Sequence, residues 1–313
     1  MLIRLVCVCF ILVGCGSQGD TSSSDTSPTK PVNTKILKTA QTITYNTGDD
    51  ASYSKGEQRS YVRDDLYGYV IDNTLDLMWQ DSYPDNNNTI KQAKLTDAIS
   101  YCQSLTLGGF NDWRLPYFNE AVNLYEYDSE FMLLDNAFVT QSTGYVLNSH
   151  YNKDRLYEIT YAIPFLIETD ISFYGESEFA VRCVRGPEYT GKFKRNNAED
   201  IVVDEGTLLQ WQDNVMVSSV LKDFNGAIDY CESLTLSNYS DWRLPNQNEL
   251  YSLVDNTKYG PVIYDAFTYV GLNDMTWSST SLDVDSAVAI HFIDGQILPP
   301  LKSDLRHVRC VRN

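Results

Sequence analysis

One pentapeptide occurs twice in this chain, and the repeat constrains the fold more than any other feature. Residues 112–116 and 241–245 both read Asp-Trp-Arg-Leu-Pro. The flanks repeat as well: a Leu-x-Trp-Gln-Asp stretch precedes each pentapeptide, and a Val-Arg-Cys-Val-Arg stretch follows it. A repeat of this length predicts that one domain of roughly 120 residues occurs twice in tandem, with small changes in its loops.

The residue pattern of each copy predicts two helices and a mostly antiparallel sheet, which is an α+β domain. A hairpin-like stretch opens each copy, at 68–80 and 201–212, and turn residues interrupt it. Apolar residues at helical spacing follow, and a second helix begins after each pentapeptide. Asn246 and Glu249 predict a capping box at that start, and Tyr117 replaces the asparagine in the first copy.

Four cysteines of the repeat predict two disulfides. Three of the seven cysteines lie within the first fifteen residues, and the others are Cys102, Cys183, Cys231 and Cys310. Each copy holds one on its first helix and one on its last strand, so we expect the pairs Cys102–Cys183 and Cys231–Cys310. Each pair would stabilise the fold by roughly 4–5 kcal/mol in the chain-entropy model. Metal binding by the thiols is the weaker alternative, because the sequence has no Cys-x-x-Cys.

Residues 1–14 have the features of a bacterial lipoprotein signal. Arg4 supplies a positive start, and an apolar run follows that ends in Leu-Val-Gly before Cys15. The run is too short to cross a bilayer as a mature helix. We therefore expect cleavage before Cys15 and lipid on its thiol; an ordinary signal peptide with an unrelated cysteine is the alternative. Gly16, by resemblance to enteric sorting rules, favours the outer membrane of a Gram-negative cell, on its periplasmic or outer side.

These boundaries predict four segments in the chain. Residues 15–36 are rich in Ser, Thr, Gly, Asp and Pro, a composition that favours a flexible tether. The predicted order is a signal at 1–14, a tether at 15–36, a first domain with its leader at 37–186 and a second domain at 187–313. Breaker residues at 186–191 predict a protease-sensitive linker between two independent domains.

The charge of the chain and the absence of catalytic motifs limit the classes of function that the sequence predicts. A net charge of −18 repels nucleic acid, anionic lipid head groups and sulfated polysaccharides. His150, His291 and His307 are not at ligand spacing, and no P-loop, dinucleotide or Gly-x-Ser-x-Gly motif occurs. We therefore expect no enzyme activity, no cofactor and no metal. Loops at 85–88 and 283–285 are alternative Ca²⁺ sites, although solvated turns are the favoured interpretation.

The repeated motifs resemble the Lcl C-terminal domain family, a bacterial family of largely unknown function named after a collagen-like adhesin. The stretches 38–42 and 47–50 resemble the leader of such proteins, and Trp-Ser-Ser-Thr at 277–280 is similar to a further family element. The first copy lacks that element at 144–149. The closing strand with its arginine and cysteine also resembles the last strand of the C-type-lectin-like and formylglycine-generating-enzyme folds. The adhesin's domain is thought to bind sulfated polysaccharides, which the charge of this chain opposes.

Both copies keep all five residues of the pentapeptide, and this favours a structural role. Trp113 and Trp242 are expected in the core, and Pro116 and Pro245 are expected to fix the approach to the next helix. The charged residues are expected to bond to neighbouring backbone or to each other, as the pairs Asp112–Arg114 and Asp241–Arg243. A ligand site made from each Asp–Arg pair is the alternative.

These features predict a non-catalytic recognition or adhesion module for an extracytoplasmic glycan or protein. A structural envelope protein without a diffusible ligand and a cryptic hydrolase are the alternatives. The copies diverge most at 136–175 and 257–305, where loops on a rigid scaffold can carry recognition. The candidate ligand-binding aromatics there are Tyr145, Tyr151, Tyr157, Tyr259, Tyr264, Tyr269 and Trp277. Trp277 is alternatively a core residue, and the acidic charge predicts a neutral or cationic ligand.

Overall fold

The structure is a computed structural model that describes residues 32–124, 135–140, 144–152, 155–160, 178–258, 260–272 and 274–313. Residues 32–313 form one compact unit. Within the described ranges, no helix is long and apolar enough to cross a membrane. The predicted signal, Cys15 and most of the predicted tether lie outside the described residues.

The leader and the first copy contain short helices and strands. The leader holds β1 (Val32–Asn33) and α1 (Asp50–Tyr53). The first copy holds β2 (Tyr61–Asp64), β3 (Tyr69–Asp72), β4 (Leu77–Gln80), β5 (Gln92–Ala93), α2 (Leu95–Ser104), α3 (Phe118–Ala121), β6 (Gly144–Asn152), β7 (Arg155–Thr160), β8 (Phe179–Ala180) and β9 (Val184–Arg185). Single 3₁₀ turns lie at Pro84–Asn86, Leu107–Gly109 and Val122–Leu124.

The second copy repeats this order after one connecting strand. The connection holds β10 (Glu188–Tyr189). The second copy holds β11 (Phe193–Asn196), β12 (Ile201–Asp204), β13 (Gln210–Gln212), α4 (Met216–Ser219), β14 (Leu221–Lys222), α5 (Phe224–Glu232), α6 (Gln247–Tyr251), β15 (Thr276–Ser281), β16 (Ala287–His291), β17 (Gln296–Leu298), β18 (Arg306–His307) and β19 (Val311–Arg312).

Each copy builds two small sheets in the same way. The first sheets have the orders β2-β3-β4-β9 and β11-β12-β13-β19, and every pair in them is antiparallel. The second sheets have the orders β5-β8-β6-β7 and β14-β18-β15-β16-β17. In both second sheets one short strand joins in parallel, β8 to β6 and β18 to β15. The α+β class and the tandem repeat are therefore confirmed.

Both predicted disulfides are present. Cys102 on α2 bonds to Cys183 with an S–S distance of 2.04 Å, and Cys231 on α5 bonds to Cys310 at 2.01 Å. All four cysteines are fully buried. Each bond ties the first helix of a copy to the residue before its last strand, so the helix is held against the sheet.

Side chains from both copies form one shared hydrophobic core. Phe118 on α3 packs against Tyr251 on α6 with ring centroids 4.8 Å apart. Leu147 of the first copy and Phe292 of the second copy are buried in the same core. Burial of an apolar side chain of this size contributes about 1.5–3 kcal/mol, so this contact holds the copies together.

The leader joins both copies, although chain order assigned it to the first domain. Leu37 is buried in the core of the first copy. Other polar contacts of the leader lie on the second copy: Asn248 Nδ2 donates to the Leu37 carbonyl at 2.9 Å, and the Ser281 N–H donates to Gln41 Oε1 at 2.8 Å. Thr280, in the second-copy Trp-Ser-Ser-Thr element, donates to Asp50 at 3.1 Å.

The end of the predicted tether and the predicted linker are both ordered by pairing. β1 and β10 pair in parallel, with Val32 opposite Glu188. The Gly191 N–H donates to the Tyr264 hydroxyl at 3.1 Å, and β11 follows at once. Regular structure is therefore present at residues 32–33, within the predicted tether, and the linker contains the strand β10.

A buried carboxylate in the leader carries a shifted pKa. Asp50 is 3% exposed and accepts hydrogen bonds from Thr39 and Thr280. Burial raises the pKa of Asp50 to about 6, and the charge of Glu249 adds to the shift. The two threonine hydroxyls and the charge of Arg243 act in the opposite direction. The protonated form of Asp50 therefore fits this site better than the charged form.

The first prediction concerns the tie between the copies. A protease site inserted between Thr190 and Gly191, once cleaved, should leave two fragments that co-elute in size-exclusion chromatography without denaturant. Each disulfide lies within one copy, so the fragments are joined by noncovalent contacts alone, chiefly the shared core and the leader. Urea should separate them. Fragments that elute separately without urea would show that the copies are independent domains.

The second prediction concerns Asp50. Its pKa is raised from 3.8 to about 6 on folding. The contribution of protonated Asp50 to the free energy of unfolding is therefore complete below pH 4 and is lost as the pH rises through 6. Asp50→Asn should remove this pH dependence and raise the free energy of unfolding at pH 7.5 by up to about 3 kcal/mol.

Asp49→Asn is the matched control for that measurement. Asp49 accepts hydrogen bonds from Gln41 Nε2 and from the backbone N–H groups of Tyr45 and Asn46, so its neutralisation should destabilise the fold. Urea unfolding between pH 4 and pH 8 measures both variants. If both substitutions destabilise the protein equally at pH 7.5, the interpretation of Asp50 is wrong.

Candidate functional site

The charged residues of the first pentapeptide bond to other elements. Asp112 accepts two hydrogen bonds from Arg185, at 2.6 and 3.0 Å. Arg114 donates two hydrogen bonds to Glu120 on α3, at 2.7 and 2.5 Å. The expected Asp112–Arg114 pair is therefore replaced by two bidentate pairs. They tie the pentapeptide to the closing strand and to the second helix.

The second pentapeptide repeats these pairs. Asp241 accepts from Arg312 at 2.7 and 3.1 Å, and Arg243 donates to Glu249 at 2.7 and 2.6 Å. Glu249 also accepts from the Asn246 N–H at 2.9 Å, which completes the predicted capping box. Because Arg243 and Glu249 are both largely buried, this pair is a structural contact between the pentapeptide and α6.

The tryptophans and prolines of the pentapeptides are buried, as the sequence predicts. Trp113 and Trp242 are each 2% exposed and lie in cores that contain the disulfides. Pro116 and Pro245 are buried before their helices, and the Pro245 carbonyl accepts from the Ser279 N–H at 2.7 Å. These contacts support the structural interpretation of the motif.

A buried ion pair accounts for two further repeated motifs. Arg182, from Val-Arg-Cys-Val-Arg, donates to Asp81 of Leu-x-Trp-Gln-Asp at 3.0 Å, and both side chains are almost fully buried. Arg63 also pairs with Asp81. In the second copy Arg309 donates to Asp213 at 3.2 Å, and Arg195 pairs with the same carboxylate.

The same aspartates anchor the divergent stretches. Asp81 accepts from the N–H groups of Val139 and Thr140 at 2.8 and 3.1 Å. Asp213 accepts from the N–H groups of Thr268 and Tyr269 at 2.9 and 3.1 Å. The repetition of the motifs was visible in the sequence, whereas this partnership was not.

The glutamines next to these aspartates connect helix and closing strand. Gln80 donates to the Tyr101 hydroxyl at 2.7 Å and accepts from the Cys183 N–H at 3.3 Å. Gln212 makes the same pair of bonds, to the Tyr230 hydroxyl at 2.9 Å and from the Cys310 N–H at 3.3 Å. The Trp-Gln-Asp motif is therefore a structural motif throughout.

Two of the candidate ligand-binding aromatics are core residues: the expected exposure of Tyr145 was wrong, and the alternative core position of Trp277 is confirmed. Tyr145 is 6% exposed, and its hydroxyl accepts from the buried Arg182 at 3.1 Å. Trp277 is fully buried, and its indole N–H donates to the Lys222 carbonyl at 2.9 Å. Both side chains point inward from strands of the second sheets, where the inner face is covered.

The other candidate aromatics divide into half-buried and undescribed side chains. Tyr264 is half-buried against Phe193, with ring centroids 4.8 Å apart. Tyr269 is half-buried near Arg195. Tyr151 and Tyr157 lie on β6 and β7, but their side chains lie outside the described residues, as does Tyr259. The two half-buried rings contact the protein itself.

The candidate Ca²⁺ loops are closed by their own hydrogen bonds where they are described. Asp283 accepts from the N–H groups of Asp285 and Ser286, both at 2.7 Å, as in an ordinary turn. Asn86 in the other loop donates to the Thr89 carbonyl at 2.9 Å. Among the described residues, no group of three or more His, Cys, Asp or Glu is placed to hold a metal.

A cleft between the two copies is the candidate site that the sequence did not suggest. Its volume is about 410 Å³ including the open mouth. Its interior is narrow, with a cavity volume of about 30 Å³. The lining residues come from the start of the leader, both second helices and the connection: Lys35, Ile36, Leu75, Asn119, Glu120, Val122, Asn123, Tyr189, Asn248, Tyr251 and Ser252.

Three amide oxygens in this cleft are buried and accept no hydrogen bond within the described protein. They belong to Asn119, Asn123 and Asn248. The amide nitrogens of Asn123 and Asn248 donate to backbone carbonyls, of Asn119 at 2.7 Å and of Leu37 at 2.9 Å. A carbonyl partner requires an N–H, so the hydrogen bonds fix which end of each of these two amides is the oxygen.

The cleft therefore presents acceptors and few free donors. Its hydroxyl and amine groups are already used: Tyr189 donates to Asp204 at 3.1 Å, Ser252 donates to the Glu249 carbonyl at 2.6 Å, and Lys35 donates to the Thr74 carbonyl at 2.8 Å. Such a lining suits the hydroxyl or amine donors of a ligand at the mouth of the cleft.

The comparison with protein families agrees with the repeat. A model of the Lcl C-terminal domain matches residues 68–185 and 200–312, which together exceed half of the chain. No curated protein matches the chain. Both matches begin after the leader and end within the closing strands, so they coincide with the two copies. The chain therefore belongs to the Lcl C-terminal domain family and carries that domain twice in tandem.

Proposed function

We propose that this protein is an envelope lipoprotein that recognises an extracytoplasmic glycan without catalysis, through the cleft between its two copies. The observation that carries the proposal is the set of three buried, unpaired amide oxygens in that cleft. A buried acceptor without a partner costs about 1–3 kcal/mol. A ligand that supplies hydroxyl or amine donors would offset this cost at all three positions.

The charge of the chain selects among glycans. With a net charge of −18, the protein repels sulfated and other polyanionic polymers at physiological salt. Neutral glycans and amino sugars meet no such barrier. The proposal therefore departs from the sulfated ligands associated with the adhesin that gave the family its name.

The fold and the location belong to the same proposal. The closing arginine-cysteine strand supports a relation to the C-type-lectin-like fold. The Leu-Val-Gly-Cys stretch supports attachment at Cys15 to the outer membrane. A structural envelope protein remains the second candidate, because the half-buried Tyr264 and Tyr269 contact the protein itself.

The third prediction tests the cleft. On an array of neutral and amino-sugar glycans, we expect binding that Asn119→Leu and Asn248→Leu each weaken about tenfold, since each removes one acceptor worth about 1.4 kcal/mol. Asn111→Ala, at an exposed position, is the matched control and should leave binding unchanged. Thermal unfolding of each variant separates loss of binding from loss of fold.

Two results would contradict the cleft as a glycan site. One is a glycan that binds Asn119→Leu as tightly as the parent protein. The other is tight, salt-sensitive binding to heparin, because a sulfated ligand has few donors for amide oxygens and opposes the charge of the chain. If no glycan on the array binds the protein, the result would favour a structural envelope protein without a diffusible ligand.

The fourth prediction tests the anchor. Cys15→Ser should remove lipid labelling and release the protein from the membrane fraction, because the serine hydroxyl is not the nucleophile that lipidation requires. Cys9→Ser, within the apolar run, is the control and should keep both properties. Persistent lipid labelling of Cys15→Ser would refute the lipoprotein proposal.

A further inference from the structure

A surface groove lies beside the second pentapeptide, separate from the cleft. Its cavity volume is about 390 Å³, so it is much roomier than the interior of the cleft. Its walls come from the end of the leader, from α5 and from the pentapeptide. The residues that matter for its chemistry are Tyr53, Lys55, Glu232, Asp241, Trp242 and Arg243.

The acidic residues of this groove are already engaged. Glu232 accepts from the Tyr53 hydroxyl at 2.7 Å. Asp241 accepts two hydrogen bonds from Arg312, at 2.7 and 3.1 Å. The hydrogen bond from Arg312 lowers the pKa of Asp241, and the charge of Lys55 lowers it further, so Asp241 stays charged and balanced by cations.

The donors of the groove have unused capacity within the described chain. No ion pair of 4.0 Å or less is formed by Lys55 with a described residue. Arg243 donates to the Glu249 carboxylate and to Asn313 Oδ1 at 3.2 Å, and its Nε has no partner among the described residues. The Trp242 indole N–H also has no hydrogen-bond partner in the described protein, but it is closed to solvent and does not face the groove. A groove with free donors and satisfied acceptors suits an acceptor-rich group of a ligand.

The first copy shows which group takes this position. Arg114 there binds Glu120 through its terminal nitrogens, as Arg243 binds Glu249, and its Nε also lies 3.3 Å from the Glu188 carboxylate. Glu188 belongs to the short strand β10, which follows the closing strand of the first copy. Trp113 likewise has a partner, the Leu107 carbonyl at 3.1 Å. Among the described residues, Arg114 therefore has a second carboxylate partner, whereas Arg243 has the side-chain amide oxygen of Asn313 instead.

We propose that the groove beside the second pentapeptide binds a carboxylate side chain carried on an extended peptide segment of another protein. The carboxylate would accept from Arg243 Nε, as Glu188 does from Arg114, and would lie near the Lys55 ammonium. Guanidinium–carboxylate hydrogen bonds are among the stronger polar contacts, and the ion pair with Arg312 limits repulsion from Asp241. The site is independent of the cleft and of its proposed glycan.

The test uses a peptide with the sequence of residues 184–190, Val-Arg-Gly-Pro-Glu-Tyr-Thr, added to the full chain. Its ends are acetylated and amidated so that the glutamate is its only carboxylate. The fluorescence of the protein and calorimetry measure binding. We expect binding at low ionic strength that weakens with salt, and at least tenfold weaker binding of the same peptide with glutamine for glutamate.

Variants of the groove locate the contact. Lys55→Ala should weaken the glutamate peptide several-fold, whereas Lys194→Ala, an exposed lysine on β11, should have no effect. Arg243→Lys keeps the charge beside Glu249 but removes Nε, so it should abolish the preference for glutamate over glutamine. Equal binding of the two peptides, or binding unaffected by Lys55→Ala, would overturn the proposal. Binding of glucuronate polymers with no binding of the peptide would also overturn it.

Discussion

A buried ion pair between the closing segment and the hairpin of each copy is the interaction on which the fold depends. Arg182 with Asp81, and Arg309 with Asp213, are inaccessible to solvent. Removal of one partner of such a pair costs about 3–5 kcal/mol, because the other charge stays buried. Each aspartate also binds backbone N–H groups of the divergent stretch. One carboxylate thus joins the hairpin, the closing strand and the variable part of a copy.

This arrangement lets the copies differ while their scaffold stays fixed. The pentapeptide, the disulfide and the buried ion pair have the same partners in both copies, so the shared geometry needs little from the stretches between them. Differences therefore collect at positions outside this network. Arg114 and Arg243 illustrate the point: their bonds to α3 and α6 are the same, yet among the described residues only Arg114 has a second carboxylate.

The sequence predicted those structural features that depend on the repeated motifs and on residue spacing. The two disulfides, the buried Trp113 and the capping box at Asn246 follow from patterns within one copy. The partner of Asp112 did not follow, because a charged residue has many possible partners and spacing does not choose among them. Tyr145 looked exposed because its burial depends on Arg182, 37 residues away. The cleft could not be predicted at all, since it forms from residues of both copies and the leader.

The leader contributes to both candidate sites, and this links their formation to its docking. Residues 35–36 line the cleft, and Tyr53 and Lys55 line the groove. The leader precedes both copies in the chain, but its polar contacts reach Asn248 and Thr280, about 200 residues later. Contacts of such long range close a long loop, which is entropically costly, and they need the second copy in place. Both sites therefore exist only in a chain whose leader has docked, so a partly folded copy presents neither of them.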